Sequence, residues 1–178
     1  MQLYREIHML KSRSFINFLF FVSVFAGQSI SAQVENQPGL IPLSGTDYEE
    51  IRELYARYNQ GSDFRDAELF LSAFAEDAIM TREGRDIVGM AGLRADRERR
   101  YQGETGDVGR RHVNGSFIIQ PTKEGAFSQA YYILLDVTTR PPTMIGSGYY
   151  EDTFVRTPLG WRIKHRKLFI DGDGNANR

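Results

Sequence analysis

Cysteine is absent from this 178-residue chain. That excludes a disulfide scaffold, a cysteine nucleophile and a lipid-modified cysteine anchor. Histidine is scarce, with three in all, and none stands at a metal-ligand spacing, so neither a zinc site nor any other metal or cofactor is expected. No glycine-rich phosphate loop, internal repeat or low-complexity tract is present. Charge of one sign is lacking too: 22 Lys and Arg face 23 Asp and Glu, a formal net charge of -1. A nucleic-acid partner would call for a basic excess. What remains is ordinary for a soluble globular protein, 41% apolar and 25% charged, and long enough for one domain to bury a core unaided.

The first 32 residues differ from the rest. Arg5, Lys11 and Arg13 precede an apolar run from Phe15 to Ala26, and small residues (Gly27, Ser29, Ser31, Ala32) follow. A positive segment, a short apolar segment and a small-residue exit make a secretory signal. The run falls short of the about 20 apolar residues a comfortable membrane span needs. Cleavage is expected after Ala32, with Ala26 as the alternative and an uncleaved anchor as the competing reading. The mature chain is then exported, periplasmic or secreted, and free of the membrane.

Residues 33–45 carry Pro38, Gly39, Pro42 and Gly45 and read as a linker. The folded domain is expected over 46–170, with 171–178 as a disordered tail. Thr46 and Glu49 have capping-box spacing, and Tyr48, Ile51, Leu54, Tyr55 and Tyr58 recur at helical intervals up to Gly61. A short helix is expected over 66–74, irregular strands over 76–89, and a third helix over 90–101. The Asp96–Arg100 stretch of that helix reads as a solvated face rather than a binding patch, and 102–109 reads as a loop. From Arg110 the period changes to two, predicting strands over 110–121, 126–139, 143–156 and 160–170. Helices first and antiparallel strands after them predict an α+β fold with helices covering one sheet face.

Few residues stand out chemically. His112, Asn114, Ser116, Ile118 and Gln120 alternate with Val113, Gly115, Phe117 and Ile119, so the face that starts with His112 either lines a pocket or meets solvent. Asp63 precedes a predicted helix and reads as a cap or as a site carboxylate. Tyr58 belongs to core packing or to a pocket wall. Asp136 interrupts the apolar run Tyr131–Leu135, and an ionised carboxylate there needs a partner or a polar cavity.

From Thr46 to Ile170 the chain resembles the SnoaL-like branch of the nuclear transport factor 2-like superfamily. The resemblance is carried by Tyr55-Ala56-Arg57-Tyr58, Asp63, Phe74-Ala75-Glu76-Asp77-Ala78, Gly89, Arg111-His112-Val113-Asn114, Gly148-Tyr149-Tyr150-Glu151-Asp152 and Gly160-Trp161-Arg162-Ile163. It implies a cone: a strongly curved, mostly antiparallel sheet wrapped by three N-terminal helices around one pocket. The superfamily includes scytalone and bile-acid dehydratases, hexachlorocyclohexane dehydrochlorinase, polyketide cyclases, ketosteroid isomerase and non-catalytic members. In the dehydratases and the dehydrochlorinase, an Asp after the first helix and a His opening a strand form a proton-transfer dyad, and Asp63 and His112 match those positions. Tyr58 and Asp136 resemble further pocket residues of the bile-acid dehydratases.

The resemblance thus implies a cofactor-independent lyase or isomerase acting on a hydrophobic small molecule. His112 would move a proton from carbon, Asp63 would orient and stabilise the imidazolium, and Tyr58 and Asn114 would donate hydrogen bonds to a leaving group or enolate. The alternative is a small-molecule-binding or dimerisation module without chemistry, since fold alone does not fix function. A homodimer is expected, with Arg162, Lys164 and Arg166 on one sheet face meeting Tyr150 and Asp152 across a two-fold axis.

Overall fold

The computed structural model describes residues 40–102 and 108–172. The expected signal segment and its cleavage site, linker residues 33–39, loop residues 103–107 and tail residues 173–178 lie outside the described residues. No helix among those described is long and apolar enough to cross a membrane.

Three helices and six strands follow in the order α1 (Gly45–Asp63), α2 (Ala67–Leu71), β1 (Phe74–Arg82), β2 (Arg85–Val88), α3 (Gly89–Tyr101), β3 (Arg110–Thr122), β4 (Gly125–Asp136), β5 (Thr143–Thr157) and β6 (Gly160–Ile170). The six strands form one sheet in the order β2-β1-β6-β5-β4-β3. All neighbours are antiparallel except β1 and β6. The curved sheet and the helices preceding its long strands make the cone the resemblance implied.

Helix α1 is capped by Ser44, two residues before the expected Thr46. Ser44 and Asp47 form a reciprocal capping box, with Asp47 N donating to Ser44 Oγ (3.2 Å) and Ser44 N donating to Asp47 Oδ2 (2.8 Å). Tertiary structure selects this box: Trp161 Nε1 on β6 donates to Asp47 Oδ1 at 2.9 Å. The apolar stripe Ile51, Leu54, Tyr55 and Tyr58 is buried as its spacing predicts, each aliphatic side chain contributing about 1.5–3 kcal/mol. The helix does not stop at Gly61 but runs to Asp63. Gly61 is needed for close approach instead: a Cβ there would lie 2.4 Å from the Phe70 backbone nitrogen of α2.

Helix α2 is shorter than expected. Asp66 caps it, accepting from Leu69 N at 2.9 Å. Phe74 belongs to β1, because its backbone pairs in parallel with Ile163 of β6. The core joins these elements through Ile51, Phe70, Met80, Leu93, Phe154 and Ile163.

Two bulges overturn the simple alternation read from the sequence. In β3 the register slips between Gly115 and Ile118, and Ser116 adopts a left-handed φ of 53°. His112 and Asn114 therefore share the inner face with Phe117 and Ile119, while Val113 and Ile118 lie outside, about half exposed. In β6, Ile163 pairs with Phe154 and His165 with Thr153, leaving Lys164 as the extra residue. Trp161 and Ile163 face inward before the bulge, and Arg166 after it. Phe169, expected on the face of Trp161, instead stacks on Tyr149 at 4.5 Å. A bulge adds one residue to one strand, so every later side chain changes face.

Candidate functional site

A cavity of about 490 Å³ opens inside the cone, within the range of small-molecule sites. Asp63 ends α1 and His112 lies near the start of β3, and the packing of α1 on β3 brings them together. The carboxylate grips His112 twice. Its Oδ1 lies 2.6 Å from the ring Nδ1, and its Oδ2 accepts from the His112 backbone N–H at 2.9 Å. Asp63 is therefore not the cap of α2, a task that falls to Asp66. Both Asp63 and His112 line the cavity, with Asp63 nearly buried and His112 slightly exposed. Because Nδ1 is held by the carboxylate, Nε2 is the ring nitrogen left for a ligand.

Tyr58 is buried, lines the same cavity and packs edge-on against the His112 ring at 6.3 Å. Asn114 sits differently. Its Oδ1 accepts from Asn59 of α1 and its Nδ2 donates to the Tyr131 carbonyl at 3.1 Å. Its amide thus ties β3 to α1 and β4, and it is not among the residues that line the cavity. Asp136 is also outside the cavity wall. It ends β4, and its Oδ1 accepts from Thr138 Oγ1 (2.6 Å) and Thr138 N (2.8 Å). Those bonds, the side-chain one foremost, hold its carboxyl below the usual range. The polar partner that an Asp at the end of an apolar run requires is its own turn.

The structure adds residues that sequence reasoning missed. Tyr132 and Tyr150 line the cavity and stack on each other at 4.9 Å. Gly148 lets the Phe169 carbonyl and the Tyr132 ring approach, since a Cβ there would lie 2.0 Å from the carbonyl oxygen and 2.8 Å from the ring. Burial pushes the Tyr150 hydroxyl well above its ordinary pKa, so it stays protonated and remains a hydrogen-bond donor. Beneath the tyrosines, Arg166 and Asp152 form a fully buried two-point ion pair, Nε to Oδ1 at 2.9 Å and a terminal nitrogen to Oδ2 at 2.7 Å. The guanidinium lies 4.1–4.7 Å from the ring centres of Tyr58, Tyr150 and Tyr55. Burial alone would lower the Arg166 pKa, but the charge and hydrogen bonds of Asp152 outweigh it and the pKa rises. Arg166, Asp152 and Tyr150 were expected on a dimer face. The β6 bulge puts Arg166 inside, opposite Asp152 of β5, so the pair closes within one chain.

The Asp96–Arg100 stretch is not simply a solvated face either. Asp96 and Arg97 are 1% and 3% exposed. Asp96 accepts from Arg97 (2.6 Å), from Arg82 of β1 (3.0 Å) and from Arg99. Burial would raise the Asp96 carboxyl, yet Arg97 and Arg82 hold it below its usual value. A signal was available: at helical spacing, Asp96 and Arg97 follow Leu93 on the face that Leu93 buries.

Fold and cavity together define an α+β cone protein with an Asp–His pair at the wall of an internal pocket. Residues 44–167 match the family model of the SnoaL-like domain, and the chain belongs to that family. Among solved structures, it is similar to a protein of unknown function with a cystatin-like fold from Nostoc punctiforme, with 25% identity, a TM-score of 0.67 and coverage of 75% of this chain and 97% of the other. A nuclear transport factor 2-like protein with a cystatin-like fold from Novosphingobium aromaticivorans is 28% identical, at TM-score 0.63, over 74% and 86% of the two chains. A Novosphingobium aromaticivorans protein named as a candidate scytalone dehydratase shares the fold at 19% identity and TM-score 0.58, over 70% and 84%. No curated protein matches the sequence.

Proposed function

We propose that the chain is a cofactor-independent lyase or isomerase of the dehydratase kind, working on a small molecule held in the cone. The observation that carries this reading is the two-point grip of Asp63 on His112 at the wall of the cavity. With Nδ1–H donated to Asp63, the imidazole presents the Nε2 lone pair as a general base. His112 Nε2 takes a proton from a substrate carbon. The C–H electron pair becomes the new double bond as an oxygen leaving group departs from a neighbouring carbon. The leaving hydroxyl oxygen receives that proton back from the imidazolium and departs as water, which returns His112 to its neutral form. In an isomerisation the imidazolium returns the proton to a different carbon. Asp63 stabilises the imidazolium in either course. Tyr58 and Tyr150 are the donors placed to bind developing negative charge, a role that Asn114, with its amide engaged elsewhere, does not fill.

The test is a thermal-shift screen of hydroxylated and unsaturated cyclic compounds, followed by product analysis of each binder. The expected result is a binder that wild-type protein converts by loss of water or movement of a double bond, and that His112→Ala binds without converting. A binder returned unchanged by the wild type would favour a binding module instead.

Two further proposals concern assembly and location. On the outer sheet face Val113 pairs with Ile133, and Tyr131 with Tyr149, which stacks on Phe169. Val113, Tyr131 and Ile133 are 51%, 60% and 42% exposed. This band supports a homodimer built on the sheet's outer face. Light scattering should give twice the chain mass, reduced to one chain by Tyr131→Glu. The N-terminal pattern supports export, which mass spectrometry would register as a mature N-terminus at Gln33.

A further inference from the structure

The cavity has a second chemical feature that proton transfer does not use. Three guanidiniums, Arg82 from β1 and Arg97 and Arg99 from α3, converge on one carboxylate, Asp96. All three arginines line the cavity. One carboxylate balances one guanidinium, so the cluster carries two positive charges beyond what Asp96 offsets. Among the described residues these three arginines form no other ion pair. This excess sits in a chain whose formal net charge is -1, so it is a local concentration and not a reflection of overall composition.

Arg97 adds an independent observation. It is 97% buried by its 3% exposure, and its Nε is a buried donor with no hydrogen-bond partner. Its other contacts are accounted for: one terminal nitrogen reaches Asp96 at 2.6 Å, the other reaches Ser62 Oγ at 3.3 Å, and the plane lies 4.5 Å from the Phe70 ring centre. A buried cation with an unmet donor is costly unless something completes it. Arginine's planar fork is matched by the two oxygens of a carboxylate, phosphate or sulfate. Ser62, which Arg97 touches, is the neighbour in sequence of Asp63 and also lines the cavity. The cationic cluster and the dyad therefore belong to one continuous wall.

We propose that the substrate is an amphiphilic organic anion, whose oxyanion group is received by Arg82, Arg97 and Arg99 while its apolar body enters the cone. Apolar wall for that body is provided by Leu134, Ile145 and Ile170 together with the tyrosine pair, while Leu168 is the strand partner of Arg82. The anion anchors one end of the molecule, so the reacting carbon is presented to His112 in one orientation. This deepens the proposed function and rests on the cavity being a substrate site, but not on His112 being a base. The cationic cluster also draws anions toward the opening, and that attraction weakens with salt.

The experiment compares three probes of one shape: 2-naphthoate, 2-naphthyl sulfate and the neutral 2-naphthamide. Their dissociation constants are measured by calorimetry on the wild type, on Arg99→Gln, on Arg97→Gln and on His112→Ala. Arg94→Gln, on the outer side of α3 and paired with Glu68, is the control for loss of any α3 arginine. The expected result is at least about tenfold tighter binding of one anion over the amide. Arg99→Gln loses most of that preference, Arg97→Gln loses it where it folds, and Arg94→Gln and His112→Ala keep it. Which anion binds tighter separates a carboxylate ligand from a sulfate-like or phosphate-like one. Equal affinity for anions and amide would overturn the proposal, as would a preference that survives Arg99→Gln. A preference abolished by His112→Ala would overturn it as well, because the anion would then sit on the imidazolium. Failure of the dyad reading looks different: no probe or substrate is converted, while the anion preference and its loss in Arg99→Gln remain.

Discussion

Two aspartate-centred pairs lie close to the same cavity, and they differ in almost every respect. Asp152 and Arg166 lie at 0% exposure beneath three tyrosine rings, joined by two hydrogen bonds. Asp63 and His112 sit at the wall, the imidazole slightly exposed, with one of the two bonds going to the backbone. Arginine stays protonated at any ordinary pH, so the deep pair can shape the cavity and fix charge but cannot shuttle protons. Asp63 holds only Nδ1 of the His112 ring, so of the two pairs only the wall pair has a nitrogen that could take up a proton, as the proposed function requires. The difference teaches that an acid–cation pair is a scaffold or a proton relay according to the cation and its access to the cavity, not the carboxylate.

The hardest way to strain this comparison is to break the deep pair. Asp152→Ala strands a buried guanidinium and should lower stability by about 3–5 kcal/mol, measured by urea denaturation. Asp152→Leu combined with Arg166→Met should recover most of that loss, since an apolar pair of similar volume removes both desolvation penalties. If the single substitution were mild, the pair would not be the scaffold described. Next comes His112→Ala, which should cut turnover by about 10²–10⁴-fold while leaving the denaturation midpoint nearly unchanged. A large fall in stability there would make the wall pair structural too. Asp63→Asn is a finer probe, because Asn can still accept the His112 backbone N–H. Turnover should drop by up to about 10⁴-fold, as when the aspartate that orients a catalytic histidine becomes asparagine, and helix capping is not at stake because Asp66 caps α2.

The smallest effect concerns pH and another buried carboxylate, Asp96. Its folded pKa is depressed by Arg97 and Arg82 below the ordinary 3.8. A carboxylate depressed in the fold contributes stability that is fully present above its unfolded pKa. The contribution is lost as pH falls through the folded value. Wild-type protein should therefore lose stability below about pH 4, by at most about 1.4 kcal/mol per pH unit from this group. In Asp96→Asn that part of the slope should vanish, which urea midpoints at neutral pH and at about pH 3 would show.

Much of the site was legible in the chain because it depends on local pattern. The α1 stripe placed Tyr58 on an inward face, and the resemblance singled out Asp63 and His112. Asn114 was correctly put on the face of His112, yet its amide is absorbed by Asn59 and the Tyr131 carbonyl, which no spacing reveals. Asp136 read as a buried anomaly because the strand was extended to Thr139. The strand stops at Asp136, which then bonds its own turn. Arg97 could have been found, since helical spacing from Leu93 already points it inward. Arg166 could not, because strict alternation from Trp161 and Ile163 turns it outward.

The sequence by itself determined the helix–strand order, the α+β class and the inward stripe of α1, since these follow from hydrophobic period and from turn residues acting over a few positions. Only the tertiary structure decided where β3 and β6 bulge. A bulge is settled by how neighbouring strands register, through contacts distant in the chain, and a single extra residue then reverses every side chain beyond it. That reversal brings Phe117 under Tyr55 and buries Arg166 against Asp152, so that part of what reads as a charged outer surface becomes a buried ion pair packed behind the tyrosines that line the cavity.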